Sequence, residues 1–221
     1  MPIPLLLGHR GVRGAKSILE NTEQAFDFAL SQGCDGFEFD VRFSGDGEAV
    51  VCHDAHVGES KIAERSSEEL GLPPLHSILQ RYRKRAFLDI EFKVAGLETL
   101  ILDLLYEFPP AKGYVISSFL PQVLERIYRS NQNVTLGLIC ETSKQVAEWQ
   151  QLPVQYVILH HRLARRPVIE QLKAERRKVF VWTVNSAFDM MRFARWNVDG
   201  IISDDPGKLA ATLHEKTIPP K

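Results

Sequence analysis

Two acidic residues alternate along a stretch that has the pattern of a β-strand. Successive side chains of a strand point to opposite faces, so Glu38 and Asp40 share one face. Phe37, Phe39 and Val41 share the other, apolar face. Two buried carboxylates that lie close together repel each other unless a positive group joins them. The pair therefore predicts a site that holds a metal, a basic side chain or a substrate.

A second strand-like run carries charged side chains at the same spacing. Asp89, Glu91 and Lys93 alternate there, so they also share a face. Glu91 would add a third carboxylate to Glu38 and Asp40. A ligand set made only of oxygen favours a hard cation, so one divalent cation, Mg²⁺ or Ca²⁺, is the expected cofactor. A structural zinc site would need sulfur ligands, which this set lacks.

Two histidines and two basic residues complete the candidate site. His9 and Arg10 follow the first apolar run, and His53 follows another. A cation together with Arg10 and Lys93 would form a positive pocket whose expected guest is a phosphate group. Histidine exchanges protons near neutral pH, so one imidazole could activate the attacking oxygen while the other protonates the leaving alkoxide. The combination predicts metal-assisted cleavage of a phosphodiester.

Apolar runs of strand length alternate with amphipathic stretches along the whole chain, which indicates an α/β protein with a parallel sheet. Strands are expected at residues 4–8, 36–42, 49–52, 86–92, 114–117, 135–139, 156–159, 178–183 and 200–203. Helices are expected at residues 22–31, 75–82, 97–108, 121–130, 143–150, 167–174, 186–196 and 206–214. If residues 49–52 continue the second strand unit, eight β/α repeats result, the number of a closed (β/α)₈ TIM barrel. An open doubly wound sheet is the alternative, but no glycine-rich phosphate motif follows the first strand.

The chain is expected to form one barrel domain over residues 1–216, with a short, reduced insertion after the second strand and a frayed tail at residues 217–221. The net charge of −1 argues against nucleic-acid binding. No apolar run approaches the roughly 20 residues of a membrane span, so no stable membrane insertion is expected. The three cysteines are widely spaced, which favours buried thiols in a cytoplasmic protein.

The active sites of such barrels lie at the carboxyl ends of the strands, where polar residues of this chain cluster. Asp204 and Asp205 lie there too, but they are interpreted as the start of a helix in which Asp205 is the cap and Pro206 the first residue. Trp182 lies at the end of the seventh strand, where a tryptophan is either core or a platform for substrate. The remaining histidines fit no such pattern and are expected at the surface or in packing: His56, His76, His160, His161 and His214.

Several short motifs of polar and glycine residues follow one another along the chain. They are His9-Arg10-Gly11, Glu20-Asn21-Thr22, Gly33-Cys34-Asp35-Gly36, Glu38-Phe39-Asp40-Val41, Asp46-Gly47, His53-Asp54, Glu91-Phe92-Lys93, Ser118-Phe119, Trp182-Thr183-Val184-Asn185 and Asp199-Gly200-Ile201-Ile202-Ser203-Asp204. In this order they resemble the glycerophosphodiester phosphodiesterase family over nearly the whole chain. The resemblance implies a (β/α)₈ barrel, a divalent cation that is often Mg²⁺ or Ca²⁺, and cleavage of small glycerophosphodiesters to glycerol 3-phosphate and an alcohol.

The resemblance also implies roles for individual residues. It makes Glu38, Asp40 and Glu91 the metal ligands, His9 and His53 the catalytic acid–base pair, and Arg10, Lys93, Glu20 and Trp182 the substrate-binding residues, with Glu20 bracing the site. Two reaction courses fit the family. In one, the glycerol 2-hydroxyl attacks phosphorus and water opens the resulting cyclic phosphate; in the other, water attacks directly. Either histidine could act first as the base.

The chain departs from the family pattern near the expected pocket. Leu19 stands where the family usually has proline, residues 55–73 lack the usual sequence, and Pro74-Leu75-His76-Ser77 replaces a pattern that ends in acidic residues. The alcohol is therefore left open. One alternative function is a phospholipase D-like lyase on lysophospholipids, which needs an apolar groove or a membrane-binding loop that the sequence does not display. Another is a barrel that binds phosphorylated ligands without turnover, which the complete set of acids and histidines disfavours.

Overall fold

The computed structural model describes residues 3–214. Within these residues, eight parallel strands close into a barrel because the first strand pairs with both the second and the last. The barrel strands are β1 (Leu5–His9), β2 (Gly36–Phe43), β6 (Phe87–Phe92), β7 (Tyr114–Ser118), β8 (Leu136–Cys140), β9 (Tyr156–His160), β10 (Lys178–Trp182) and β11 (Gly200–Ser203). The closed (β/α)₈ barrel confirms the predicted fold class and excludes the open doubly wound sheet.

Helices connect the barrel strands and lie outside them. They are α1 (Glu23–Ser31), α2 (Ser67–Leu70), α3 (Leu75–Tyr82), α4 (Glu98–Glu107), α5 (Pro121–Ser130), α6 (Ser143–Glu148), α7 (Arg166–Ala174), α8 (Ala187–Arg195) and α9 (Pro206–His214). Side-chain caps fix several of their starts. The hydroxyl of Thr22 accepts a hydrogen bond from the backbone N–H of Ala25, and that of Ser186 accepts one from Asp189.

The segment between β2 and α3 forms the expected reduced insertion. Strand β3 (Ala49–Val51) folds back and pairs antiparallel with the end of β2. A hairpin of β4 (His56–Val57) and β5 (Ser60–Lys61) follows, then a 3₁₀ turn at Ile62–Glu64 and the short helix α2. The apolar run at residues 49–52 thus belongs to the second strand unit as predicted, although it reverses direction rather than extending the strand.

Alternation along β2 divides its side chains between two apolar layers. Phe37 and Phe39 point outward under the helices, where the Phe37 ring stacks on Phe26 of α1 with centroids 4.1 Å apart. The barrel interior holds a separate apolar cluster made of Leu7, Phe87, Val115, Ile139, Tyr156, Ile158, Phe180 and Ile202. Since Phe87 points inward, Asp89 and Glu91 on the same strand also point inward. An apolar floor therefore lies beneath the acidic residues.

Residues 3–214 contain no helix that is long and apolar enough to span a membrane. Cys34 and Cys140 are buried and Cys52 is partly buried, and all three are free thiols. The domain boundary predicted at residue 216 and the tail predicted at residues 217–221 lie outside the described residues.

Candidate active site

The three predicted carboxylate ligands meet at the carboxyl end of the barrel. Parallel pairing of β2 and β6 sets Asp40 directly opposite Glu91 and Glu38 opposite Asp89. One oxygen from each of Glu38, Asp40 and Glu91 lies within 4.8 Å of the others, and all three residues are buried. Glu38 Oε1 and Asp40 Oδ1 are buried without a hydrogen-bond partner. Buried oxygens that lack a donor are costly, so the cluster is suited to receive a cation.

Two basic side chains contact this cluster. Lys93 Nζ donates to Glu91 Oε1 at 2.6 Å and lies 3.3 Å from Asp40 Oδ1. Arg10 Nε lies 3.0 Å from Asp40 Oδ2, an ion pair that is not aligned as a hydrogen bond. The sequence predicted Arg10 and Lys93 as ligands of a phosphate, and the structure pairs both with the carboxylates. They stand at the cluster's edge, where they partly neutralise its charge.

The pKa values of the three carboxylates are not all shifted in the same direction. Burial and the neighbouring carboxylates Asp40 and Glu91 raise the pKa of Glu38 well above its ordinary value. Burial and Asp40 likewise raise the pKa of Glu91. Burial alone would raise the pKa of Asp40 as well, but Arg10 and Lys93 lower it below the usual range. Asp40 is therefore the carboxylate that the protein's own cations hold charged.

His9 is fixed at the barrel mouth by an acid from the last strand. Its Nδ1 lies 2.6 Å from Asp204 Oδ1, and Asp204 Oδ2 accepts a hydrogen bond of 2.6 Å from Asn185. Because an ionised carboxylate only accepts, Nδ1 carries the shared proton. Nε2 then faces the acidic cluster, 3.8 Å from Glu38 Oε2. Burial would raise the pKa of Asp204, but the hydrogen bond from His9 lowers it.

His53 lies at the rim of the site rather than in its depth. Its side chain is 36% exposed, and its Nδ1 lies 2.7 Å from Asp54 Oδ1. Arg42 donates to the backbone carbonyl of His53 at 2.7 Å, which ties the loop to the end of β2. Burial lowers the pKa of His53, against an opposing contribution from Asp40. The imidazole is thus held at the open side of the cluster.

The turn after β1 brings both the backbone N–H and the side chain of Arg10 to the carboxylate cluster. Arg10 adopts a positive φ of 51°, which aims its N–H at Glu38 Oε2 at 3.0 Å. Gly11 follows with a φ of 80°, and a Cβ there would lie 2.5 Å from the backbone carbon of Ala25. Only glycine fits that close approach to α1.

Two residues of the Glu20-Asn21-Thr22 motif support the site. Asn21 Nδ2 donates to Asp40 Oδ2 at 2.9 Å and thereby orients one of the carboxylates. Glu20 contacts the guanidinium of Arg10 and accepts a hydrogen bond from Arg13 Nε at 3.1 Å. Glu20 was expected to brace the site, and the structure pairs its carboxylate with the guanidinium of Arg10.

Trp182 is the last residue of β10, at the carboxyl end of the barrel. With His9, Glu38, Asp89 and Glu91 it lines a narrow cavity of about 20 Å³ in the barrel. Its ring meets Phe119 edge-on at 5.6 Å, and Lys93 Nζ lies 5.7 Å from the Phe119 ring centre. The indole therefore lines the site instead of being enclosed in the core.

The comparisons with known proteins decide the family. A family model described as "Glycerophosphoryl diester phosphodiesterase family" matches residues 9–70 and 89–208 of this chain. The chain belongs to that family. It is therefore an enzyme of the phosphoric diester hydrolase class that acts on glycerophosphodiesters.

Relatives of this phosphodiesterase cover nearly its full length. A glycerophosphodiester phosphodiesterase of Caldanaerobacter subterraneus subsp. tengcongensis is 29% identical, over 93% of this chain and 96% of the relative. Among solved structures, the glycerophosphodiester phosphodiesterase of Thermotoga maritima superposes with a TM-score of 0.80 at 22% identity, covering 99% of this chain and 100% of that one. An Oleispira antarctica phosphodiesterase, in complex with the product sn-glycerol-3-phosphate, superposes with a TM-score of 0.82 at 21% identity, covering 96% and 97%. These superpositions show the shared fold.

Two polar residues of the phosphodiesterase site escaped the sequence reasoning. Asp204 was interpreted only as part of a helix start, while Asp205 was predicted to be the cap and does cap α9, accepting from the backbone N–H of Lys208 at 2.9 Å. One carboxylate is enough for a cap, so the second acid at a strand end was the available signal. Asn21 directly precedes the helix expected at residues 22–31, but Thr22 provides the cap and Asn21 donates to Asp40.

An apolar groove beside His53 was also not expected. It is lined mainly by Leu19, Val51, Val57, Leu72 and Pro73, which come from three separate segments. Because no single segment is strongly apolar, the sequence pattern does not reveal the groove.

Proposed function

We propose that this chain hydrolyses glycerophosphodiesters to glycerol 3-phosphate and an alcohol with one divalent cation, Mg²⁺ or Ca²⁺, and two histidines. The observation that carries the proposal is the cluster of Glu38, Asp40 and Glu91, whose ligand atoms lie within 4.8 Å of one another while two buried oxygens accept no hydrogen bond. Oxygen-only donors of this kind match the ligand preference of a hard cation.

The three carboxylates would hold the cation. When bound, it supplies positive charge that stabilises the phosphoryl oxygens as negative charge develops on them. Arg10 and Lys93 contact the carboxylates, and as cations they would also bind the non-bridging oxygens of the same phosphate. Trp182 lines the narrow cavity and would position the substrate beside it.

The histidines supply proton transfer. Asp204 holds His9 through Nδ1, so Nε2 is the atom that can exchange a proton with the substrate. His53 is engaged through Nδ1 by Asp54, which leaves Nε2 for the same task at the rim. One imidazole takes the proton of the attacking oxygen, and the other donates a proton to the alcohol oxygen as its bond to phosphorus breaks.

The proposal is tested by assaying purified protein on a panel of glycerophosphodiesters. The protein is first treated with EDTA, and Mg²⁺, Ca²⁺ or Mn²⁺ is then added separately. We expect release of glycerol 3-phosphate that is lost with EDTA and restored by at least one cation. Undiminished release after complete removal of divalent cations would refute the metal-dependent part of the proposal, and absence of cleavage under all conditions would refute the whole.

A further inference from the structure

The loop after β9 concentrates basic side chains at the mouth of the barrel. Residues 160–166 read His-His-Arg-Leu-Ala-Arg-Arg, with no acidic residue among them. Arg162 and Arg165 are exposed, and neither forms an ion pair within the part of the chain that the structure describes. Arg166, by contrast, is paired with Glu170. Cations that lack a partner and are grouped on one loop attract an anion.

The strand order of the barrel places this loop opposite His53. Around the closed sheet, β9 is separated from β2 by β8, β7 and β6 in one direction and by β10, β11 and β1 in the other. His53 follows the β2 unit, so the two loops lie on opposite sides of the mouth. A substrate whose phosphate binds at the carboxylate cluster between them has one end toward His53 and the other toward the loop after β9.

Consecutive ring contacts join this loop to the phosphate site. His160 meets Trp182 edge-on with ring centroids 5.2 Å apart, and Trp182 meets Phe119 at 5.6 Å. Lys93 Nζ, which would bind the phosphate, lies 5.7 Å from the Phe119 ring centre. The basic loop is therefore adjacent to the site and within reach of a group attached to the bound substrate.

Positive charge dominates the surroundings of His160. Burial, followed by the charges of His161 and Arg162, lowers the pKa of His160, and the carboxylate of Glu141 opposes this shift only in part. The backbone N–H of Arg162 donates to His160 Nδ1 at 3.4 Å, so the two residues are held next to each other. A phosphate bound here would give the guanidinium of Arg162 a charged partner.

We propose that the loop after β9, through Arg162 and His160, binds a second phosphate group of the substrate, at the end that points away from His53. The inference rests on the proposed glycerophosphodiester hydrolysis and names a substrate class for the same site. That class is glycerophosphodiesters that carry an additional phosphate monoester. The bond that is cleaved is the same as in the simple diester.

The distribution of charge around the mouth suits one small anion. The basic loop offers two guanidinium groups without an ion pair, whereas an anionic lipid surface would need a broader basic face. The insertion on the opposite side of the mouth instead contributes four glutamates, Glu59, Glu64, Glu68 and Glu69. A single phosphate on the substrate therefore fits the loop better than a membrane does.

Two substrates that differ by one phosphate test the proposal. The purified, metal-supplemented protein is assayed on glycerophosphoglycerol and on each of its two monophosphates, in which one or the other glycerol carries a terminal phosphate. We expect the KM of at least one monophosphate to be lower by about 10-fold or more, the effect of hydrogen bonds to a charged group. Raising the salt concentration to about 0.5 M should reduce this preference, because the loop is exposed and its charges are screened.

A variant of the loop and a matched control locate the effect. Arg162→Gln should shrink the difference in KM to less than about threefold, because the charged donor is removed. Arg162 is exposed, so thermal unfolding of the variant should match that of the wild type. Arg195→Gln makes the same change of charge at an exposed position in the last turn of α8, at the opposite end of the barrel, and should retain the full preference.

The outcomes separate the two proposals. Cleavage of all three diesters with equal KM values would overturn the assignment of the loop and leave the hydrolase proposal standing. A preference for a monophosphate that Arg162→Gln leaves intact would also overturn it, since the second phosphate would then bind elsewhere. Failure to cleave any of the diesters with any cation would overturn both.

Discussion

Asp204 Oδ1 lies 2.6 Å from His9 Nδ1, which joins the last barrel strand to the first across the mouth of the site. The contact fixes the ring and leaves Nε2 directed at the carboxylate cluster, 3.8 Å from Glu38 Oε2. A carboxylate in this position also stabilises the imidazolium that forms during proton transfer. His9 therefore depends on Asp204 for both orientation and charge.

Replacing Asp204 should impair turnover more than binding. For Asp204→Asn we expect kcat to fall by about 100-fold or more with little change in KM, because the amide can hold the wrong tautomer of His9. Steady-state kinetics on a cleaved glycerophosphodiester measures this. Asp205→Asn is the control, since Asn caps a helix as well as Asp does. Equal kcat values for the two variants would contradict the role assigned to Asp204.

Asn21 should contribute to the affinity for the cation by orienting Asp40. Asn21→Gly keeps the φ of 58° accessible and removes the donor to Asp40, so the dissociation constant for Mg²⁺ or Ca²⁺ should rise by about 10- to 100-fold. Isothermal titration calorimetry measures the affinity. Asn197→Gly makes the same change at a φ of 57° on the surface and should leave it unaltered. An unchanged affinity in Asn21→Gly would argue against the orienting contact.

If His53 is the histidine that donates a proton to the alcohol, its loss should matter most when the alcohol is a poor leaving group. A general acid contributes about 10²- to 10⁴-fold, and it matters less when the leaving oxygen is already a weak base. His53→Ala should lose about that factor on an alkanol diester but less than about tenfold on a p-nitrophenyl diester. His76→Ala, an exposed histidine of α3, should behave as wild type. Equal losses on both diesters would show that His53 does not donate the proton to the alcohol.

The three thiols should differ in reactivity. Burial raises the pKa of both Cys34 and Cys140 to about 12, so at pH 8 almost none of either is thiolate. Cys52 is only partly buried and lines the groove, so iodoacetamide should alkylate it first in the native protein. Mass spectrometry of peptides after timed alkylation gives the order. Faster labelling of Cys34 or Cys140 than of Cys52 would contradict the packing described around them.

The sequence predicted the barrel and most of the site because both follow from regular spacing. Alternation on single strands identified Glu38, Asp40 and Glu91, and parallel register brings them together. Asp204 and Asn21 were not identified because each lies beside a residue that caps a helix, so the helix start already accounted for the polar pair and no local pattern showed the second residue's contact with His9 or Asp40. The groove depends on three segments meeting in space, which no local pattern encodes.

The contacts of the basic residues also depend on three-dimensional packing. Arg10 and Lys93 were expected to bind phosphate, but both form ion pairs with Asp40. Arg10 reaches Asp40 from a turn with a positive φ, and Lys93 reaches it because it follows β6 on the same face as Glu91. A cation bound to the carboxylates would neutralise part of their charge. Arg10 and Lys93 could then contact a phosphate as well, so their ion pairs are consistent with that role.

The central claim is that Glu38, Asp40 and Glu91 hold the cation that hydrolysis requires. The most direct measurement combines Mg²⁺ or Ca²⁺ binding by calorimetry with release of glycerol 3-phosphate for Glu38→Gln and Asp40→Asn. Glu170→Gln, at an exposed ion pair on α7, serves as the control. We expect both site variants to remain folded and to lose cation binding and cleavage together, by about 100-fold or more, while Glu170→Gln retains both. Folded site variants that still bind the cation and cleave the diester at the wild-type rate would contradict the account.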